Sequence, residues 1–356
     1  MATSPPTESK FLICLPSGWD FYQKAHTDLG LFTWVSCSTR MATIIVTGVA
    51  GFIGSHLADA LLKRGDRVIG IDQFNDYYDP LLKRKNVASL VSQADFELVE
   101  GDIQLLNWSA LLEGVEVVYH QAAQAGVRAS WGESFRNYTE RNINATQVLL
   151  EAAKDAKGLQ RFVYASTSSV YGNAETLPTA ETIPPQPVSP YGITKLAAEQ
   201  LCWLYHQNFG VPVTALRYFT VYGPRQRPDM AFHKFFKALL EDRTISIYGD
   251  GQQTRDFTFV SDAVAANLQA AIVPGAIGEV FNIGGGSRVV LAEVLQTMEQ
   301  ITDRRMRLEF QESARGDARH TAADVSKARQ ILGYQPQVGL AEGLAQEWVW
   351  IQALYA

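Results

Sequence analysis

Residues 47–54, Thr-Gly-Val-Ala-Gly-Phe-Ile-Gly, restrict the fold more than any other stretch of this chain. An apolar run at 44–46 precedes them, and Leu57, Leu61 and Leu62 follow at helical spacing. The pattern predicts a buried parallel strand, a tight glycine turn and a helix over 53–63. Such a turn brings backbone N–H groups and the positive end of a helix dipole against whatever lies over it. Gly48, Gly51 and Gly54, with Phe52 and Ile53 opening the helix, therefore suit a dinucleotide pyrophosphate. The spacing is Gly-x-x-Gly-x-x-Gly, and by itself it also fits a turn that binds nothing. A second apolar strand ends in Asp72, 18 residues beyond Gly54. A carboxylate there accepts hydrogen bonds from an adenosine ribose and repels a 2′-phosphate, which favours NAD over NADP.

From residue 41 the chain alternates strand and helix signals, as a doubly wound α/β sheet requires. The runs 44–46, 68–71, 96–99, 115–119, 162–165 and 213–216 read as parallel strands, with helices near 53–63, 81–91, 138–154 and 192–208. The expected organisation is a Rossmann-type domain over 41–218 and a smaller C-terminal α/β substrate lobe over 219–356. Within the lobe, a stretch about 256–282 returns to the sheet, with the run 255–271 expected at its edge. Residues 1–40 lack a sustained period and carry Pro5, Pro6 and Pro16. They read as an extension outside the fold, with Met41 as the natural start, and as a poor signal peptide.

Chemistry-bearing residues fall at the predicted strand ends. Asp102 can hold an adenine amino group while Ile103 packs on the ring; the alternative is a helix N-cap. Ala122 and Ala123, after the fourth strand, leave room for a cofactor. Ser189-Pro190-Tyr191-Gly192-Ile193-Thr194-Lys195 begins a helix, with Ser189 as cap and Pro190 in the first turn. Tyr191 and Lys195 then share one helical face. A tyrosine acting as a base near neutral pH must shed about three pKa units, roughly 4 kcal/mol. A nearby ammonium and a cationic nicotinamide ring can supply this in a dry site. The run 165–172, Ala-Ser-Thr-Ser-Ser-Val-Tyr-Gly, places hydroxyls at the end of the fifth strand, either for a substrate or as a serine-rich turn. Tyr-x-x-x-Lys alone also fits an amphipathic helix, but here it follows a dinucleotide turn.

Taken together these residues resemble the nucleotide-sugar epimerase and dehydratase branch of the extended short-chain dehydrogenase/reductase superfamily, from Met41 to the C-terminus. Three stretches resemble UDP-glucuronate 4-epimerases in particular: residues 72–80, 121–128, and 217–224 with 227–231. The resemblance implies tightly held NAD, a UDP-sugar substrate and a transient oxidation at the sugar C4. Tyr191 is then the base, Thr167 its assistant, and Lys195 the ribose contact that lowers the phenol pKa. It adds Asn75 to the cofactor contacts and Arg128 and Thr220 to those of the substrate. Arg255 falls on the diphosphate, Met230 and Ala231 on the uracil side, and Arg315 and Asp317 on phosphate or ribose. Dehydrating relatives carry acidic residues where Ser168 and Ser169 stand here, and decarboxylating ones place a glutamate at position 169. Ser168, Ser169 and Arg227 are expected instead to hold a glucuronate carboxylate. Gln73 stands where Asn is usual, and Arg225-Gln226 replaces Trp-Gly, so UDP-glucose/UDP-galactose epimerisation is the alternative. A decarboxylase and a non-catalytic NAD-sensing protein are further readings. The resemblance also implies a homodimer through the Tyr191 helix, to which Leu201 and Leu204 offer apolar positions.

Bulk properties exclude other classes. A net charge of −6 gives no electrostatic case for nucleic acid, and no apolar run reaches membrane-spanning length. Cys14, Cys37 and Cys202 form neither a disulfide framework nor a metal-ligand spacing, which fits a reducing cytoplasm and a chain without metal.

Overall fold

A computed structural model describes residues 41–312 and 315–356. The expectations about residues 1–40 lie outside the described residues. In chain order the first half contains strands β1 (Thr43–Thr47), β2 (Arg67–Asp72), β3 (Phe96–Glu100), β4 (Val117–His120), β5 (Arg161–Thr167) and β6 (Val213–Tyr218). Its helices are α1 (Phe52–Lys63), α2 (Pro80–Val87), α3 (Trp108–Leu111), α4 (Phe135–Tyr138), α5 (Ala145–Ala153) and α6 (Pro190–Phe209). The second half adds strands β7 (Thr220–Tyr222), β8 (Ile245–Tyr248), β9 (Thr254–Phe259), β10 (Val280–Ile283), β11 (Arg288–Val290) and β12 (Leu308–Gln311). Helices α7 (Ala231–Leu240), α8 (Val260–Ile272), α9 (Leu291–Thr302), α10 (Ser326–Leu332) and α11 (Leu340–Tyr355) lie between and after them.

A seven-stranded sheet in the order β10-β6-β5-β4-β1-β2-β3 forms the centre, and every pair in it is parallel. Strand order reverses between β1 and β4, so the carboxyl ends of these two strands flank the crevice where open α/β sheets bind ligands. Both faces are covered. Ile44 and Val46 point into one apolar cluster and Ile45 into another, as period-two alternation in a doubly covered strand demands.

The expectation that 255–271 forms the returning sheet edge requires correction. β9 instead joins a separate three-stranded sheet, parallel to β7 and antiparallel to β11. The edge strand is β10, parallel to β6. Aromatic packing explains the difference: Phe257 stacks 4.8 Å from Phe232 and Phe259 lies 5.4 Å from Tyr222, which ties β9 to α7 and β7. A further two-stranded sheet, β8 with β12, completes the C-terminal half.

Helix α6 follows its caps closely. Ser189 accepts the Gly192 N–H at 3.1 Å, Pro190 occupies the first turn, and Gly210 ends the helix in the left-handed region at φ 72°.

Candidate active site

The glycine turn is shaped by backbone contact. Gly48 has φ 69°, and a Cβ there would lie 2.8 Å from the Ala122 Cα. At Gly54 a Cβ would come within 2.2 Å of the Gly48 carbonyl oxygen. The turn therefore tolerates no side chain at either position, and it presents bare backbone beside Ala122. Helix α1 starts at once, with Gly51 as a cap that contributes no side-chain bond. Its first N–H groups are the orphan donors of any helix start.

This turn forms one wall of a cleft enclosing about 1210 Å³, mouth included. Gly48, Gly51, Phe52, Ile53, Gly54, Asp72, Asn75, Asp102, Ile103, Ala122, Ala123, Tyr191 and Lys195 all line it. The cleft thus joins the ends of β1, β2, β3 and β4 to the start of α6. Asp72 accepts the Phe74 N–H at 2.8 Å and the Ala50 N–H at 3.2 Å. Burial pushes its carboxyl up, while those N–H groups and Lys83 oppose the rise. Asp102 accepts the Gln104 N–H at 2.9 Å through Oδ1, a local turn bond.

Several lining residues escaped the sequence reading. Lys83 donates to both the backbone and side-chain oxygens of Asn75 at 2.6 Å, and Arg141 donates to Gln124 Oε1 at 2.6 Å. Tyr77, Tyr78, Gln121, Ser166 and Tyr218 also line the cleft. Tyr77, Tyr78, Gln121 and Tyr218 fall inside stretches that carry the family resemblance, and Ser166 in the hydroxyl run 165–172, which are usable signals. Lys83 and Arg141 sit within helical segments and had none.

Tyr191 is half-buried at the foot of the cleft, edge-on to Tyr138 with ring centroids 6.2 Å apart. Burial pushes its phenol up, and the Arg227 charge and a hydrogen bond with Thr167 pull it down. Lys195 is buried and its ammonium lies 4.3 Å from the centroid of the Tyr164 ring. Desolvation lowers it to about 7, opposed by Cys202 and Glu199. Arg227 is thus a cation acting on Tyr191, a task that, among side chains, the sequence assigns to Lys195 alone.

Arg227 lines the same cleft and makes a bidentate pair with Asp229 at 2.9 and 3.0 Å; the Tyr77 hydroxyl donates to the same carboxylate at 3.2 Å. Ser168 and Ser169 form the short turn after β5, where the Thr167 hydroxyl donates to Ser169 Oγ at 3.3 Å. The remaining expected substrate residues lie elsewhere. Arg128 pairs with Asp317 at 2.7 Å and stacks 4.1 Å from the centre of the Tyr248 ring. Arg255 donates to the carbonyls of Thr254 and Arg319 and feels the charges of Asp317 and Arg128, so these three form one cluster. Thr220 is half-buried at the start of β7; Met230 caps α7 and Ala231 begins it; Arg315 is exposed. No cluster of metal-ligating side chains occurs among the described residues.

A parallel sheet with a glycine turn at its switch point, and a Tyr-x-x-x-Lys helix facing that turn, defines a dinucleotide-dependent enzyme of the short-chain type. Residues 44–284 match the NAD dependent epimerase/dehydratase family, and the chain belongs to it. Among similar proteins is an uncharacterised UDP-glucose epimerase of Bacillus subtilis, 46% identical over 88% of this chain and 98% of its own length. A UDP-glucuronate 4-epimerase of Thermodesulfobacterium geofontis is 38% identical over 87% of this chain and 96% of its own. The UDP-glucuronic acid 4-epimerase of Bacillus cereus, solved with UDP-glucuronic acid and NAD, superposes with a TM-score of 0.86 at 47% identity, over 88% of this chain and all of that one.

Proposed function

We propose that this chain is an NAD-dependent 4-epimerase that interconverts UDP-glucuronate and UDP-galacturonate through a transient 4-keto sugar. The observation that carries the reading is the placement of Tyr191, Lys195 and Arg227 on the cleft lined by the Gly48–Gly54 turn. The residues fit NAD: bare backbone at Gly48 and Gly54, free N–H groups at the start of α1, and a carboxylate at Asp72. NAD bound there supplies a hydride acceptor that later returns the hydride. Gly48, Gly51, Phe52, Ile53 and Gly54 hold the pyrophosphate, Asp72 and Asn75 the adenosine ribose, Asp102 and Ile103 the adenine.

Tyr191 takes the proton from the sugar C4 hydroxyl and gives it back after the sugar has turned about its diphosphate. Thr167 holds the phenol oxygen in place, and the charge on Arg227 favours its ionised form. Lys195 grips the nicotinamide ribose. Ser168, Ser169 and Arg227 face the glucuronate carboxylate and keep it in the plane of the 4-keto group, which suppresses decarboxylation of this β-keto acid; Thr220 is a further substrate contact. Arg128, Arg255, Arg315 and Asp317 hold the diphosphate and ribose, with Met230 and Ala231 on the uracil side.

No helix among the described residues is long and apolar enough to cross a membrane. Helix α6 exposes Ile193, Trp203 and Leu204, each more than 45% accessible, while Leu201 is half-buried in the core. This face supports a homodimer through α6, with Trp203 in the place the sequence reading gave Leu201. Cys202, the one cysteine among the described residues, is buried and unpaired, which supports placement in a reducing cytoplasm.

Separate incubations with UDP-glucuronate and UDP-glucose, resolved by NMR, test the assignment. A mixture of C4 epimers of the uronate without net NADH is expected. Rapid turnover of UDP-glucose with none of UDP-glucuronate would overturn the substrate, and released CO₂ would replace the reaction by a decarboxylation.

A further inference from the structure

A buried charge centre lies one helical turn beyond Lys195. Glu199 follows it by four residues on α6, which sets both on one face, and both are nearly inaccessible at 2% and 3%. The Glu199 carboxylate is fully engaged. Oε1 accepts Arg217 Nη2 at 2.5 Å, and Oε2 accepts Arg217 Nε at 3.0 Å and the Ser166 hydroxyl at 2.5 Å. Arg217 donates onward to the Tyr171 hydroxyl at 2.7 Å, which donates to Asn282 Oδ1 at 2.8 Å. Ser166 lines the cleft, and its neighbour Thr167 is the partner of Tyr191.

Lys195 has no ion-pair partner in contact among the described residues. The titratable groups that face it are Cys202, Glu199 and Tyr191 from α6, Tyr164 from β5 and His120 from β4. Burial pushes His120 down to about 3 and raises the Cys202 thiol and the Tyr164 phenol, so those three are neutral. Glu199 meets Arg217 through both of its oxygens.

We infer that Glu199 is a positioning residue for the reaction, whose buried charge keeps Lys195 an ammonium and whose bond to Ser166 fixes the strand end that presents Thr167 to Tyr191. The inference rests on the epimerase reading, because only a lysine that must stay charged needs this support. Without Glu199, desolvation acts on Lys195 with no charged residue named above to oppose it. Its pKa falls, its proton leaves at lower pH, and the alkaline limb of activity moves down with it.

The test is the pH profile of kcat/KM for UDP-glucuronate epimerisation by the holoenzyme and its variants. Glu199→Gln keeps an acceptor for Ser166 and should move the alkaline limb down by about one unit, roughly a tenfold loss on that limb. Because it leaves Arg217 unpaired, Glu199→Gln with Arg217→Met removes both buried charges and should give a smaller shift in the same direction in a folded protein, since the repulsion from an unpaired Arg217 goes with it. Ser166→Ala retains the carboxylate and should leave the limb in place. An unmoved limb in both Glu199 variants, with only a lower melting temperature, would reduce the network to packing and overturn the inference. An equal shift in Ser166→Ala would overturn the role of charge. A wild-type chain that epimerises no UDP-sugar would overturn the epimerase reading and this inference with it, whereas normal wild-type turnover beside an unmoved limb rejects Glu199 alone.

Discussion

The turn-bearing half of the cleft and the C-terminal lobe place their polar groups by different means. In the first, strand ends and helix starts do the placing. Each β-strand stops at the same edge of a parallel sheet, so the residue just past it faces the same crevice. Every residue expected on the cofactor lines one cleft as a result. In the lobe, short strands and connecting segments carry the expected substrate residues, and only Arg227 reaches that cleft. The cluster of Arg128, Arg255 and Asp317 is assembled across residues far apart in the chain. Local backbone periodicity governs the first half; long-range packing governs the second.

That contrast breaks most sharply at Tyr191. Tyr191→Phe removes the one group able to take the C4 proton and leaves its α6 packing intact. Turnover should fall by at least about two orders of magnitude, as general acid–base catalysis contributes that much. Measured kcat within a few-fold of wild type would reject its role. The next largest effect is expected at the turn itself. Gly54→Val places a branched side chain where a Cβ would already sit 2.2 Å from the Gly48 carbonyl oxygen. Overpacking of this kind costs about 1–3 kcal/mol, and here it falls on the cofactor wall. NAD released from the denatured variant should be substoichiometric; full retention would show that the turn does not bear on the cofactor.

The sheet was legible in the sequence because period-two apolar runs and glycine punctuation are local signals. Residues 44–46, 68–71 and 162–165 read as strands since burial on both faces leaves no polar position within them. Helix α6 was legible from Ser189, Pro190 and its apolar face. β9 was misplaced for a physical reason: Phe257 and Phe259 look alike whether a strand joins the main sheet or packs on Phe232 and Tyr222. Lys83 and Arg141 were invisible for a related one. A cation on a helix is ordinarily solvated, and nothing in its neighbours reveals that Asn75 or Gln124 awaits it.

Arg227 is the lobe residue that crosses between the two regimes, so it sharpens the comparison. Arg227→Ala should slow UDP-glucuronate turnover about tenfold more than that of UDP-glucose, the order expected for losing one charge-assisted bidentate contact. It should also move the acid limb of kcat. The Arg227 charge holds the Tyr191 phenol down, so its removal raises that pKa, and the ionised base appears only at higher pH. Equal losses on both sugars with an unmoved limb would make Arg227 a lobe contact, held by Asp229 for stability alone.

The smallest effect belongs to the cluster of Arg128, Arg255 and Asp317. Arg128 pairs with Asp317 at 2.7 Å, but the two side chains remain 49% and 27% exposed. A pair so wet contributes at most about 1 kcal/mol to folding, so Arg128→Ala should leave the melting temperature nearly unchanged. If the cluster holds the diphosphate, KM should rise several-fold, by the same factor for both UDP-sugars, while kcat stays put, since a group bound equally in ground and transition states affects binding only. Added salt should narrow the gap between variant and wild type, because exposed charges are screened over about a Debye length. A drop in kcat, or a bias between the two sugars, would instead place Arg128 with Arg227 in discriminating the sugar, and the boundary drawn here between the two halves of the cleft would have to move.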